Sequence, residues 1–141
     1  MSWGVDRRDF LKISGSAVAA LALARCGGAD GPAIGQFAGG VVSDYDVGTI
    51  TRFSDGPFFV ARDEGGLYAM SAVCTHQGCT VDAETNGLSC ACHGSTFDLD
   101  GGVTGGPATE RLEHYELTID DVDAITVDTG APVSAATRVS V

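Results

Sequence analysis

The runs Cys74-Thr75-His76-Gln77-Gly78-Cys79 and Cys90-Ala91-Cys92-His93-Gly94-Ser95 constrain this chain more than any other feature in it. They gather four of the five cysteines and two of the three histidines into residues 74–95. Each run offers one Cys and one His at close spacing, plus a further Cys. Thiolate together with imidazole suits iron and zinc far better than magnesium or calcium. A structural zinc takes four ligands, usually from C-x2–4-C pairs, and six donors spaced as C-x-H and C-x-C-H fit it poorly. A cysteine nucleophile needs one histidine partner rather than two mirrored runs. A domain that keeps the motif residues without any metal is a further alternative. The pattern suits best a mixed iron–sulfur site, in which two His replace two Cys on one iron.

The two runs closely resemble the halves of the Rieske motif, C-x-H-x-G-C followed by C-x-C-H-G-S, and the resemblance extends over about residues 47–128. It implies an all-β fold: a small antiparallel sandwich or partial barrel carrying a two-loop subdomain that binds a 2Fe-2S cluster. By the same resemblance Cys74 and Cys90 bind one iron and His76 and His93 the other. Cys79 and Cys92 then form a disulfide tying the loops together. Ser95 matches the family serine whose hydroxyl bonds a bridging sulfide. Gly105-Gly106-Pro107-Ala108 resembles the proline loop that covers the cluster from a third side. Gly78 and Gly94 supply the backbone freedom that tight loops around a metal need.

Two positions depart from the quinol-oxidising members of the family. Phe97 stands where those members usually carry a tyrosine that donates to a cysteine sulfur. Gln77 stands where many carry a leucine on the docking surface. Phe97, without the hydroxyl, argues for a potential below the top of the family range, and the polar Gln77 weakens the case for quinol docking. The asymmetric ligand set itself raises the potential. A neutral imidazole leaves less negative charge on its iron than a thiolate does, which places such centres at roughly −150 to +300 mV against about −400 mV for all-Cys plant-type clusters. The outer imidazole nitrogens titrate, so the potential is expected to fall as pH rises past their oxidised-state pKa values.

The N-terminus carries a second signal. Asp6-Arg7-Arg8-Asp9-Phe10-Leu11-Lys12 resembles a twin-arginine export motif, followed by a twelve-residue weakly apolar stretch from Ile13 to Ala24. Twelve residues fall short of the about 20 that span a bilayer, so the stretch reads as the apolar region of an export signal. A short amphipathic helix with a chance arginine pair is the alternative. Cys26 closes a lipobox-like Leu23-Ala24-Arg25-Cys26, in which Arg25 replaces the usual small residue. Lipidation of Cys26 is the preferred reading; cleavage after Ala22-Leu23-Ala24 and an uncleaved anchor remain open. Export delivers the chain to an oxidising compartment, where a Cys79–Cys92 bridge persists.

The domain plan is therefore a signal over residues 1–26, a flexible Gly/Ala-rich linker over 27–46, the Rieske domain over 47–128, and a C-terminal strand or tail over 129–141. Strand candidates are 47–53, 58–62, 67–73 and 125–127, together with the alternating Leu112, Tyr115, Leu117 and Ile119. Asn86-Gly87 signals a hairpin that brings 80–82 beside 88–91, and with them the two cluster loops. His114, isolated in a strand-like stretch, reads as a surface histidine. Beyond Cys26 stand seventeen acidic residues against four arginines and no lysine. That balance excludes nucleic acid as a partner and favours either a basic protein face or simple solubility.

No catalytic triad or substrate pocket is visible, so the chemistry is the cofactor's and the protein is an electron-transfer subunit rather than a self-contained enzyme. The resemblance implies one-electron transfer at the outer face of the bacterial cytoplasmic membrane, with peripheral membrane association. The chain would serve a respiratory oxidoreductase, as the small subunit of arsenite oxidase does. Its partner would be a c-type cytochrome, a cytochrome b or a molybdenum-enzyme large subunit. The first alternative is the quinol-oxidising subunit of a cytochrome bc-type complex. The second is a structural or redox-sensing cluster module. A Rieske oxygenase ferredoxin is disfavoured, because those lack the disulfide pair and stay cytoplasmic.

Overall fold

A computed structural model describes residues 34–141. Short apolar runs separated by Gly- and Asp-bearing turns produce ten antiparallel strands. These are β1 (Gln36–Val41), β2 (Ile50–Phe53), β3 (Phe58–Asp63), β4 (Gly66–Ser71), β5 (Asp82–Glu84), β6 (Gly87–Cys90), β7 (Ser95–Phe97), β8 (Val103–Gly105), β9 (His114–Ile119) and β10 (Ala124–Val133). The one helical piece among the described residues is a single 3-10 turn, Val42–Asp44. None of their helices is long and apolar enough to cross a membrane.

Six strands form a curled sheet in the order β1-β10-β9-β4-β3-β2, and the other four form a second sheet in sequence order. The second sheet is one insertion between β4 and β9, which themselves pair through Ala69–Tyr115 and Met70–His114. Strands alternate their side chains between two faces, and β3 and β4 are buried on both. Phe58, Val60, Leu67 and Ala69 enter one core with Tyr115, Leu117, Ile125 and Val127. Phe59, Ala61, Tyr68 and Met70 enter a second core with Val81, Leu88, Phe97 and Leu112 of the insertion. The insertion is thus seated on the sheet by the second core, and an Arg52–Asp82 ion pair at 3.3 Å links β2 to β5 at the margin.

Three expectations are corrected. The segment 27–46 is not a linker throughout: β1 pairs with β10 from Gln36–Asp128 to Val41–Ala124. Its glycines serve packing, since a Cβ on Gly39 would sit 2.7 Å from Ile125 Cγ2. Residues 27–33 lie outside the described residues. The domain also runs past 128. β10 continues to Val133, and the tail beyond it pairs Val139 with Leu67 through N–H···O bonds of 2.8 and 2.9 Å. Arg138 then binds Asp63 at 2.6 Å and Asp100 at 2.7 Å, and lies 3.8 Å over the Tyr68 ring. Finally, His114 is buried, not exposed. It pairs with Met70 where the insertion covers the outer face of the sheet, so the off-phase side chain of β9 is sealed in as well.

Candidate metal centre

Both Cys/His runs are tips of hairpin-like turns. The neck of the first is closed by Val81 N–H to Ala72 O at 2.8 Å and Cys74 N–H to Cys79 O at 2.7 Å, with Val73 bridging Thr80. Thr80 therefore pairs back with Val73, and the expected hairpin around Asn86-Gly87 begins two residues later, with Asp82–Glu84 against Gly87–Ser89. The second tip grows from the β6–β7 hairpin, where Cys90 opposes Ser95. The tips are mirrored: Gly78 N–H returns to Cys74 O at 2.9 Å and Gly94 N–H to Cys90 O at 3.0 Å. Both glycines hold positive φ, 79° and 78°, which other residues reach only with strain.

The disulfide expected from the resemblance is present: Cys79 and Cys92 are bonded, with their Cα atoms 6.4 Å apart. Cys74 and Cys90 are the free cysteines among the described residues; both are buried, and their thiols are hydrogen-bonded to each other. The His76 and His93 rings of the two tips meet edge to face, centroids 4.8 Å apart. His93 is exposed and His76 half-buried. His76 Nδ1 is sealed from water without a hydrogen-bond partner.

The backbone around the thiols is arranged for negative sulfur. The N–H groups of His76 and Gln77 and the Ser95 hydroxyl donate to Cys74. The N–H groups of Cys92 and His93 donate to Cys90. Burial pushes the Cys74 thiol up, but these donors and Cys90 draw it below the ordinary thiol value. Burial and the neighbouring Cys74 push Cys90 above it. One proton shared between two adjacent sulfurs accounts for the opposite signs.

The remaining expected residues fall around this centre. Ser95 and Phe97 are fully buried, and Phe97 packs in the same core as Cys74 and Cys90. Gln77 is exposed at the first tip. Pro107 is exposed, but its loop is in close contact with the second tip. A Cβ on Gly106 would lie 2.5 Å from Gly94 O and from Ser95 Cα, and Ala108 N–H donates to Ser95 Oγ at 3.1 Å. Thr75 Oγ1 donates to Glu110 O at 2.6 Å and ties the first tip to the same loop. Sequence reasoning missed the roles of Thr75 and Ala108, since a hydrogen bond to a distant backbone leaves no local signal.

The donor set fits a two-iron cluster. Two adjacent buried thiols, a buried and unpartnered nitrogen on His76 and a second imidazole in contact with that ring offer four ligands of two kinds at the two tips. The sulfurs of Cys79, Cys90 and Cys92 also lie within 4.8 Å of one another, but two of them are bonded to each other and supply no thiolates.

The family profile of the Rieske 2Fe-2S domain matches residues 40–116, more than half of the chain. The chain belongs to the Rieske family. Rieske domains bind a 2Fe-2S cluster and transfer electrons through it, and that is the chemistry of this one. Residues 4–24 match the twin-arginine translocation signal, which marks the chain for export across a membrane; they and Cys26 lie outside the described residues. The chain is 37% identical over 92 residues to the cytochrome b6-f complex iron-sulfur subunit of Chlorobaculum tepidum, covering 62% of the chain and 51% of that protein. It is 39% identical over 77 residues to the subunit of the same name from Prochlorococcus marinus strain MIT 9515, covering 52% and 43%. It thus spans about half the length of the curated relatives it matches. Among solved structures, it is similar to the cyanobacterial plasma membrane Rieske protein PetC3 from Synechocystis PCC 6803. That match has a TM-score of 0.53 and 27% identity, over 66% of this chain and 99% of that one.

Proposed function

We propose that this Rieske protein works at the outer face of the cytoplasmic membrane as the one-electron carrier of a cytochrome-containing respiratory complex, with Cys74, Cys90, His76 and His93 as the four cluster ligands. The observation that carries the ligand set is the orphaned, buried His76 Nδ1, on the same tip as the buried Cys74. A buried imidazole nitrogen without a partner is costly unless it meets one, and a metal is the partner that this donor set offers. When bound, the cluster takes up and releases a single electron.

The chain's own residues set the terms of that exchange. Cys74 and Cys90 lie in the core, whereas His76 and His93 lie at the tip. His76 keeps its Nδ1 sealed from water, and His93 stands exposed at the surface, where a redox partner can dock. Donors to sulfur offset negative charge inside, and the exposed His93 imidazole gives protons a path to water. The acidic surface supports a basic docking face on the partner, and the likeness to cytochrome b6-f subunits supports a cytochrome subunit as that partner. The same likeness favours quinol as the donor; Phe97 and the polar Gln77 on the docking tip favour a weaker oxidant.

Redox titration of the purified exported chain, followed by EPR, tests both parts. The ligand set predicts a reduced-state mixed Cys/His signal that vanishes in Cys74→Ser, Cys90→Ser, His76→Ala and His93→Ala alike. Any of the four retaining it would remove that residue from the set. A midpoint well above zero that falls with rising pH supports quinol oxidation; a midpoint at or below zero overturns it and leaves another cytochrome-linked donor.

A further inference from the structure

Arg138 of the C-terminal tail and Arg111 of the loop after β8 share one carboxylate. Arg138 Nη2 donates to Asp100 Oδ1 at 2.7 Å. Arg111 Nη2 donates to Asp100 Oδ2 at 2.9 Å and to Asp100 O at 2.7 Å. Asp100 stands in the turn between β7 and β8, and so in the cluster-bearing insertion. We propose that Arg138 is a positioning residue for the cluster: through Asp100 and Arg111 it holds the 106–111 loop on the two tips, and with that loop the Ser95 hydroxyl that donates to Cys74.

Arg138 is the fixed member of this trio. Its Nε donates to Asp63 Oδ2 at 2.6 Å and its Nη1 to the carbonyls of Ala135 and Thr137 at 2.8 and 3.0 Å, while the guanidinium lies 3.8 Å over the Tyr68 ring. Its side chain is 17% exposed, against 47% for Arg111 and 42% for Asp100. An isolated exposed ion pair holds little geometry, whereas a network built on well-placed charges does. Arg111 and Asp100 alone would be such an exposed pair. Arg138 makes it a network, with one arginine on each carboxylate oxygen. The tail that carries Arg138 is itself seated on the large sheet by the Val139–Leu67 bonds. Gly66 is shaped to that seat, since a Cβ there would run into Val139 O.

From Arg111 the loop reaches both tips. Glu110 O accepts from Thr75 Oγ1 at 2.6 Å on the first, and Ala108 N–H donates to Ser95 Oγ at 3.1 Å on the second. The Ser95 hydroxyl donates in turn to the Cys74 sulfur. Donors to cluster sulfur favour the reduced state. A slack loop frees that hydroxyl to turn away, so the potential falls although none of the hydrogen bonds of Arg138 goes to either tip. This last step, unlike the anchoring of the loop, rests on the reading of Cys74 as a cluster ligand.

Hydrogen exchange and redox titration of the full cluster-bearing chain test the proposal, with circular dichroism as the check on the strands. Arg138→Ala and Asp100→Ala should each quicken exchange at the Ala108 N–H several-fold. Each should also lower the midpoint, by about two- to threefold in the redox equilibrium, ~18–28 mV at ~59 mV per decade for one electron. Asp100→Ala separates position from charge, because losing a negative charge would by itself raise the potential. It also leaves Arg138 its bonds to Asp63 and the tail carbonyls, so it decides the matter where Arg138→Ala unseats the tail. In a Ser95→Ala chain the fall caused by Arg138→Ala should vanish. A fall of the same size there, or a rise in Asp100→Ala, would mean that charge alone acts and overturns the proposal. Ala108 exchange at the original rate overturns it as well. A Ser95→Ala chain with an unchanged potential of its own overturns the Cys74 reading instead, and the exchange rate at Ala108 then decides the anchor alone.

Discussion

Ala108 N–H donates to the Ser95 hydroxyl at 3.1 Å, and that hydroxyl donates to the Cys74 sulfur. The loop after β8 thereby fixes the rotor of a side chain whose proton points at the candidate cluster ligand. Donors to cluster sulfur favour the reduced, more negative state. Ser95→Ala should lower the midpoint potential by about 60 mV, the one-electron equivalent of a tenfold change in equilibrium. Redox titration reads the shift; an unchanged potential would mean that the hydroxyl turns elsewhere once the cluster is bound.

Phe97 is buried in the core that holds Cys74 and Cys90. A phenol there would stand in the same core as both sulfurs, and Phe97→Tyr should raise the potential by roughly the same tens of millivolts. The cluster's absorbance and EPR signal serve as controls for intact packing. A stable variant with an unmoved potential would show that the ring edge faces away from both sulfurs.

The Cys79–Cys92 bridge closes a separation of 13 residues between the two tips. Loop-closure arguments assign a bridge of that span about 3 kcal/mol. Replacing both cysteines with serine should loosen the tips and shorten the lifetime of the bound cluster, followed as bleaching of its visible absorbance under mild denaturant. The base sheet should keep its strands by circular dichroism, because none of its ladders involves either cysteine.

His114 lies against the Tyr68 ring, centroids 5.7 Å apart, with Nε2 3.0 Å from Asp100 O. Burial disfavours its charged form and holds its pKa below the ordinary 6.5. A base whose folded pKa is depressed binds more protons when unfolded. Its effect is therefore absent above about 6.5, and stability falls as pH drops through that value. Urea unfolding of the cluster-free chain across this range should show the loss. His114→Phe, which keeps the stack on Tyr68, should flatten it; an identical slope in the variant would assign the acid sensitivity to other groups.

The centre was far more legible than the frame that carries it. Cys and His at fixed spacing announce a metal, because few other chemistries need both donors twice. The bridge between Cys79 and Cys92 was readable through family likeness, since spacing alone does not select a partner. β1 was hidden because Gly39 and Gly40 look like linker residues. Gly39 is in fact small because Ile125 of β10, far away in sequence, presses on it. His114 deceived for a related reason: period-two reasoning assumes one dry face, and β9 begins where the sheet is covered on both sides. β8 was invisible because three residues carry no periodicity, and Val103 pairs with Phe97 only once the turn after Leu99 has formed.

The four-stranded insertion leaves and rejoins the large sheet beside Met70 and His114, which face each other across one ladder rung. Neighbouring strands stand about 4.8 Å apart, so both ends of the insertion are held by a single rung. The redox head is in effect a cartridge plugged into a socket. Evolution, or an engineer, can swap its potential and its docking tip while the chassis that fixes its orientation stays as it is.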